Sequence, residues 1–400
     1  MKQISLEELK QLNPEERVII DIRSADAYEK GCIDGAINLP MHEVKDRVNV
    51  LAADKKYCIY AHTDYQSGLF IKYFEEAGLD ACVIKGGYPE FLSQKLEAFV
   101  QDEEALKQRT RDTERSIIKK FRKSIWCKFT KGIRQYDMIQ DGDKIAVCIS
   151  GGKDSMLLAK LFQELKRHGR NNFELVFLVM NPGYNEANWK IIQNNAKQLG
   201  IPLTTFESDI FDVVVDISKN PCYLCARMRR GFLYDHAKQL GCNKIALGHH
   251  FDDVIETTLM GMLYSGKIET MMPKLHSTNF EGMELIRPMY LVKEEYIKQW
   301  RDYNDLYFIQ CACRFTEQCA TEEEEHSSKR EEMKNLIKQF RETSDVIEKN
   351  IYKSVHNVNL SKVIGYHKNG YEYNFLDDYY EEEKCDLPPG MTKVREGQKD

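Results

Sequence analysis

Short apolar runs alternate with segments of helical periodicity along most of the chain. "RVIIDI" (17–22), "KKYCIYA" (55–61) and "DACVIKGG" (80–87) read as strands, with a helix start at "SADAYEKG" and a helix at "SGLFIKYFEEAG" between them. Strand and helix in alternation predict a parallel sheet within residues 1–98. Residues 99–120 are charged and lack a strand pattern, which predicts a basic helical linker. A second alternation opens at "DKIAVCISGGKDSMLLAKLFQELKRHG". It continues through "FELVFLVMNPG", "NWKIIQNNAKQLG", "IPLTTFESD", "GFLYDHAKQLG", "NKIALGHH", "DDVIETTLMGMLYSG" and "LIRPMYL". Glycine closes several of these helices, and the pattern over 121–320 is that of a doubly wound parallel sheet. A charged helical extension over 321–367 and a poorly ordered acidic tail over 368–400 complete the expected organisation.

Composition adds bounds. With 42% hydrophobic and 30% charged residues, a chain of 400 suits two or three compact domains. The N-terminus is charged from residue 2 with no apolar run behind it, and no stretch approaches the ~18–20 apolar residues of a membrane helix. The reading therefore expects a cytoplasmic protein with no membrane partner. The 12 cysteines should then be mostly reduced thiols, and Cys58 and Cys148, inside apolar runs, read as small buried hydrophobes.

Charge changes the picture more. The net charge of −6 conceals eleven Lys or Arg against two acids between 107 and 134, and an acidic stretch from 371 to 386. The basic stripe suits either phosphates or a solvated helix joining two domains.

Chemistry first gathers at "SGGKDS" (150–155), between an apolar strand and an amphipathic helix. Two glycines let backbone approach a ligand, the helix N-terminus offers free N–H groups, Lys153 adds a cation, and Ser150 and Ser155 add hydroxyls. This is a phosphate site without the Walker A spacing. The hexapeptide resembles the PP-loop of the ATP-pyrophosphatase superfamily. From about 117 to 365 the chain resembles the tRNA 2-thiocytidine synthetase family, through "YDMIQDGDKIAVCISGGKDS", "CYLCARMRRGFLYDHAKQLG", "KIALGHHFDDVIETTLMGMLYSGK", "MMPKL", "IRPMYLVKEEYI" and "FIQC" in that order.

That resemblance implies ATP-dependent tRNA thiolation. ATP and Mg²⁺ would bind at Ser150, Gly151, Gly152, Lys153, Asp154 and Ser155, with Lys153, Asp154, Asp252 and Asp253 as catalytic candidates. A cytidine of the anticodon loop would be adenylated at C2, and sulfur would replace its oxygen. tRNA is the implied partner and a cysteine desulfurase the kind of sulfur donor expected. Thiolation of a uridine, lysidine-type ligation, a non-catalytic sulfur-handling or redox adaptor, and a homodimer all stay open.

"NPCYLCARMRRG" (220–231) holds a Cys-x-x-Cys pair, Cys222 and Cys225. On residues alone this is half a zinc site, a dithiol redox centre or part of an iron–sulfur cluster. "FIQCACRFTEQC" (308–319) offers Cys311, Cys313 and Cys319 as distant partners. The family resemblance implies a [4Fe-4S] cluster on three cysteines, which match Cys222, Cys225 and Cys311, with the fourth iron left open for sulfide. Family members often read Pro-Cys-x-x-Cys where this chain has Gln310-Cys311-Ala312-Cys313, so Cys313 is the alternative third ligand. Arg227, Arg229 and Arg230 beside the pair suit tRNA phosphate or an exposed helix face.

"GHHFDDVIET" (248–257) sets two His and two Asp just past a strand, at the mouth of the sheet. Asp252 and Asp253 are candidates to hold Mg²⁺ or to serve as an acidic first helical turn, and His249 or His250 to contact ATP or substrate. In the first unit, "DIRSADAYEKGCIDGAINLP" and "VIKGGYPEF" resemble the rhodanese family. Active members place a persulfide-bearing cysteine directly after a strand, and here that position is Ala61 in "CIYAHTDYQSG". An inactive domain used for docking or presentation is expected. The fold class expected is thus α/β, a rhodanese-like domain followed by a doubly wound PP-loop domain.

Overall fold

The computed structural model describes residues 2–29, 31–101, 103–169, 171–208, 221–309, 329–344, 346–368 and 370–379. The first unit runs β1 (Gln3–Ile4), α1 (Leu6–Gln11), β2 (Arg17–Asp21), α2 (Ala25–Glu29), β3 (Ala36–Asn38), α3 (Met41–Arg47), β4 (Lys56–Tyr60), α4 (Asp64–Glu76), β5 (Asp80–Ile84) and α5 (Gly87–Val100). Its five strands lie in the order β1-β5-β4-β2-β3, all parallel. β4 and β5 are buried beyond their first residue, which explains why they read as unbroken apolar runs: helices cover both faces.

α6 (Glu103–Ile118), a π-helical turn (Arg122–Trp126) and α7 (Cys127–Gln135) follow. The expected linker is instead part of the second unit's packing. Ile117 is fully buried in that unit's core, and Glu114 accepts from Lys160 at 2.7 Å and Arg167 at 2.6 Å. A helical face that reads as charged becomes half-buried because Glu114 meets Lys160 and Arg167 and Arg109 donates to the carbonyls of Asn304 and Asp305.

The second unit continues with β6 (Lys144–Ile149), α8 (Lys153–His168), β7 (Glu174–Asn181), α9 (Glu186–Gln198), β8 (Leu203–Glu207), α10 (Pro221–Gln239), β9 (Lys244–Ala246), α11 (Phe251–Ser265), β10 (Lys274–His276), β11 (Glu284–Ile286) and α12 (Glu294–Tyr303). Strand order is β10-β11-β9-β6-β7-β8, parallel except for the antiparallel edge strand β10. "LIRPMYL" forms no long strand. β11 stops at Ile286, and Pro288, which has no N–H to give a ladder, leads into a turn closed by Tyr290 N to Arg287 O at 3.1 Å.

α13 (Lys329–Thr343) and α14 (Ile347–Ser354) pack Met333, Ile337 and Tyr352 against α11. The tail expected to lack order from 368 departs from that reading at its start. β12 (Gly365–Lys368) pairs with β13 (Tyr371–Asn374), where Tyr366 and Tyr373 stack at 4.8 Å, and α15 (Phe375–Tyr379) follows. Cross-strand aromatic pairs stabilise a hairpin that the local acidic charge obscures.

The two units meet through α5 and α9. Leu92 and Leu96 pack on Ile191 with Tyr307 and Ile309 alongside, and Glu97 pairs with Lys190 at 3.5 Å.

Candidate functional site

Strand order reverses at β6, whose sheet neighbours are β7 on one side and β9 on the other. In such sheets a crevice opens beyond the carboxyl ends of the two diverging strands. The loops after β6 and β9 are those carrying Ser150–Gly152 and His249–His250, so topology alone brings the two sequence motifs together. α10 leads back into parallel β9, which sets its first turn, with Cys222 and Cys225, at the same end of the sheet.

The loop is tightly built. Gly151 has φ +84°, and a Cβ there would sit 2.6 Å from Ile192 and 3.1 Å from Ile309, so only glycine fits. Ser155 Oγ accepts from Ser150 N–H at 3.1 Å and donates to Gly152 O at 3.0 Å, fixing the loop on the first turn of α8. Gly248 lets β9 approach the same turn, since its Cβ would meet Ser155 N at 3.1 Å. Lys153 Nζ lies between Asp154 Oδ2 at 3.0 Å and Glu294 Oε1 at 2.9 Å. Burial works against its charge, but the two carboxylates outweigh this and raise its pKa. Burial likewise resists ionisation of Glu294, yet Lys153 and Lys298 hold it far below the carboxylate range. Lys153 is therefore a fixed cation, and Asp154 Oδ1 is buried with no hydrogen-bond partner.

In the His–Asp stretch the structure favours the acidic first helical turn over the Mg²⁺ site. Asp253 Oδ2 accepts the His250 N–H at 2.8 Å as a helix cap, and its other oxygen pairs with Arg330. Asp252 accepts the Glu294 N–H at 2.7 Å and pairs with Arg341, which also holds Glu348. Both carboxylates expected to hold Mg²⁺ are thus engaged by the α13 arginines and by backbone. Burial lowers the pKa of His249 to about 4, so its imidazole is neutral at neutral pH.

Arg341→Ala leaves Asp252 and Glu348, with side chains 6% and 2% exposed, without their shared cation. The expected loss is about 2–3 kcal/mol, below the full figure for a buried pair because Arg341 is half-exposed and Lys293 still reaches Glu348. Urea unfolding measures it, and an unchanged midpoint would show that the α13 clamp contributes nothing.

Cys222, Cys225 and Arg227 lie in the first turns of α10, where the backbone alone is described; Cys311, Cys313 and Cys319 fall outside the described residues. Arg230 is exposed and Arg229 partly buried. Arg287, 6% exposed, has an unpaired Nε, and burial together with Arg230 lowers its pKa to about 10. Sequence reasoning passed over Glu294, Arg287, Arg330 and Arg341. The only signal for them was a cluster of charges in segments otherwise helical.

In the first unit Ala61 is fully buried at the end of β4, its carbonyl accepting from Tyr88 N–H at 3.0 Å. Cys58, also fully buried, lies 3.7 Å from Cys82, and that contact together with burial drives its pKa upward. His62 and Gln66, just past Ala61, face a cavity of about 740 Å³ whose opposite wall is Gly152, Lys153 and Asp154. Nothing in the linear sequence signals that juxtaposition.

A parallel-sheet nucleotide loop joined to a five-stranded rhodanese-like unit defines a PP-loop enzyme, and family models agree: a PP-loop domain matches residues 122–313 and a rhodanese-like domain residues 5–94. The chain is 32% identical over 261 residues to tRNA-cytidine(32) 2-sulfurtransferase 2 of Francisella tularensis subsp. holarctica, covering 64% of this chain and 93% of that protein. It is 40% identical over 185 residues to tRNA-cytidine(32) 2-sulfurtransferase of Neisseria meningitidis serogroup C, covering 45% and 57%. The chain belongs to the tRNA-cytidine(32) 2-sulfurtransferase family. Among solved structures, the U34-tRNA thiolase NcsA of Methanococcus maripaludis with its [4Fe-4S] cluster aligns at 19% identity and TM-score 0.45, over 58% of this chain and 78% of that one. Among the described residues no helix is long and apolar enough to cross a membrane.

Proposed function

We propose that this tRNA sulfurtransferase 2-thiolates a cytidine of the tRNA anticodon loop, activating C2 with ATP. The C2 oxygen attacks the α-phosphorus, the bond to pyrophosphate breaks, and a sulfide equivalent then takes C2 while the oxygen leaves with AMP. Ser150–Ser155 hold the departing pyrophosphate with backbone N–H groups and the Lys153 cation, interactions that strengthen as charge develops. Asp154 is the carboxylate that fits Mg²⁺, since its buried Oδ1 accepts no hydrogen bond and has only the His250 ring 3.8 Å away among the described residues; Asp252 and Asp253 do not fit unless α13 releases them, and act as positioning residues. Neutral His249 is suited to hydrogen-bond ATP or the base without adding charge.

Cys222, Cys225 and Cys311, with Cys313 as the alternative, form an all-thiolate set that fits a [4Fe-4S] cluster, which when bound supplies an iron open to sulfide. Arg227, Arg229 and Arg230 on the same helix are assigned to tRNA phosphate, and the sulfur donor to a cysteine desulfurase. The rhodanese-like unit does no persulfide chemistry in this reading, because Ala61 has no sulfur and Cys58 is sealed.

The observation that carries the reading is the crevice itself, in which nucleotide loop, His–Asp turn and cysteine helix share one end of one sheet. Mass spectrometry of tRNA nucleosides tests it. A strain lacking the gene should lose 2-thiocytidine and regain it from a plasmid copy. Loss of a 2-thiouridine instead would replace the base assignment, and an unchanged nucleoside profile would favour a non-catalytic adaptor.

A further inference from the structure

The rhodanese-like unit has lost its sulfur-bearing position yet is held against the nucleotide loop. Gln66, in the first turn of α4, and His62 line the 740 Å³ cavity together with Tyr88 and Leu92, opposite Gly152 and Lys153. Gln66 is only 3% exposed, and its Oε1 has no hydrogen-bond partner. An unpaired buried carboxamide oxygen is costly to leave unsatisfied, so a polar ligand is the expected occupant.

The wall's charge says which kind. Arg23 is consumed by Asp21, at 2.6 Å and 2.9 Å, and lies 3.8 Å from the centre of the Tyr88 ring. Burial and Arg23 lower the pKa of His62 to about 4, so its ring is neutral at pH 7. The first unit thus presents a wall of amide, imidazole, phenol and aliphatic groups in which Arg23 is neutralised by Asp21, while cations including Lys153, Lys298 and Lys338 line the second unit's side of the cavity. Phosphates belong at the cationic end. A flat heterocycle with N–H donors and ring-nitrogen acceptors matches the neutral end, since a carboxamide pairs with such an edge and aromatic rings stack on its face. The volume is that of a ligand site.

We propose that the rhodanese-like unit, with Ala61 at its nucleophile position, is a nucleobase-binding wall of the synthetase site, with Gln66 hydrogen-bonding the base. The base is either the adenine of ATP or the target base of tRNA. This rests on the nucleotide assignment of the loop above. It also makes the first unit a component of the active site, with a role beyond docking.

The test compares full-length protein with Gln66→Leu, His62→Leu and Lys153→Ala for equilibrium binding of ATP and of inorganic tripolyphosphate, and for KM of tRNA in pyrophosphate release. Gln66→Leu removes an unpaired acceptor, so its melting temperature should not fall; His62→Leu reads the same wall independently. Roughly tenfold weaker ATP binding with unchanged tripolyphosphate binding, the effect of one lost hydrogen bond, assigns the wall to adenine. Unchanged ATP binding with a similar rise in the tRNA KM assigns it to the tRNA base. No change in either, or an equal loss of tripolyphosphate binding, overturns the proposal. Lys153→Ala should lose tripolyphosphate binding; if it does not, the loop assignment fails while the Gln66 result is read separately.

Discussion

Lys153→Ala should abolish tRNA-dependent pyrophosphate release, by roughly a thousandfold or more, while leaving the iron content intact. Lys153 opens α8 directly after the glycine pair, with a side chain 20% exposed and fixed between Asp154 and Glu294 at 3.0 Å and 2.9 Å. Charge on the leaving pyrophosphate grows as the α-phosphate bond breaks, and a preorganised cation there stabilises the transition state more than the ground state. Its removal also reverses the local field. Asp154 and Glu294 would then face the polyphosphate, Glu294 keeping Lys298 at 3.0 Å. The loss therefore exceeds that of one hydrogen-bond donor. Release within tenfold of the parent rate would remove Lys153 from the chemistry.

Cys222→Ala and Cys225→Ala should each lose the bound iron and the thiolation activity together. The pair occupies the start of α10, where unsatisfied backbone N–H groups and the helix dipole favour thiolate and an anionic cluster. Ile309, the last described residue before the proposed third ligand, lies 3.1 Å from where a Gly151 Cβ would be. Anaerobic purification should yield about four irons per chain. One zinc and no iron would dismiss the cluster, and full iron in Cys311→Ala with loss in Cys313→Ala would make Cys313 the third ligand.

Lys153, Cys222 and Cys225 are legible in the linear chain, because each motif is local. Gly151, Gly152 and Lys153 must be contiguous to form an anion-binding turn, and a Cys-x-x-Cys pair sets its spacing within one helical turn. The main strands were legible for a similar reason: β4, β5, β6 and β7 are covered on both faces and so read as unbroken apolar runs. Short edge elements such as β1, β3 and β10 carry too few residues for a period to register.

What the tertiary structure decided is pairing at a distance. Whether Asp252 and Asp253 face a cation or an arginine depends on α13, and Arg341 lies 89 residues from its Asp252 partner. α6 looks like a solvated linker until Glu114 meets Lys160 and Arg167 on α8. The rhodanese-like unit, read alone, is a domain without its cysteine. Only the packing of Leu92 and Leu96 on Ile191 turns Gln66 and His62 toward the nucleotide loop. By itself the sequence determined the local chemistry, because spacing within a turn or strand is set by covalent geometry. Which charges are neutralised, and which wall closes the site, was decided by the fold, because burial and ion pairing arise between residues that only folding brings together.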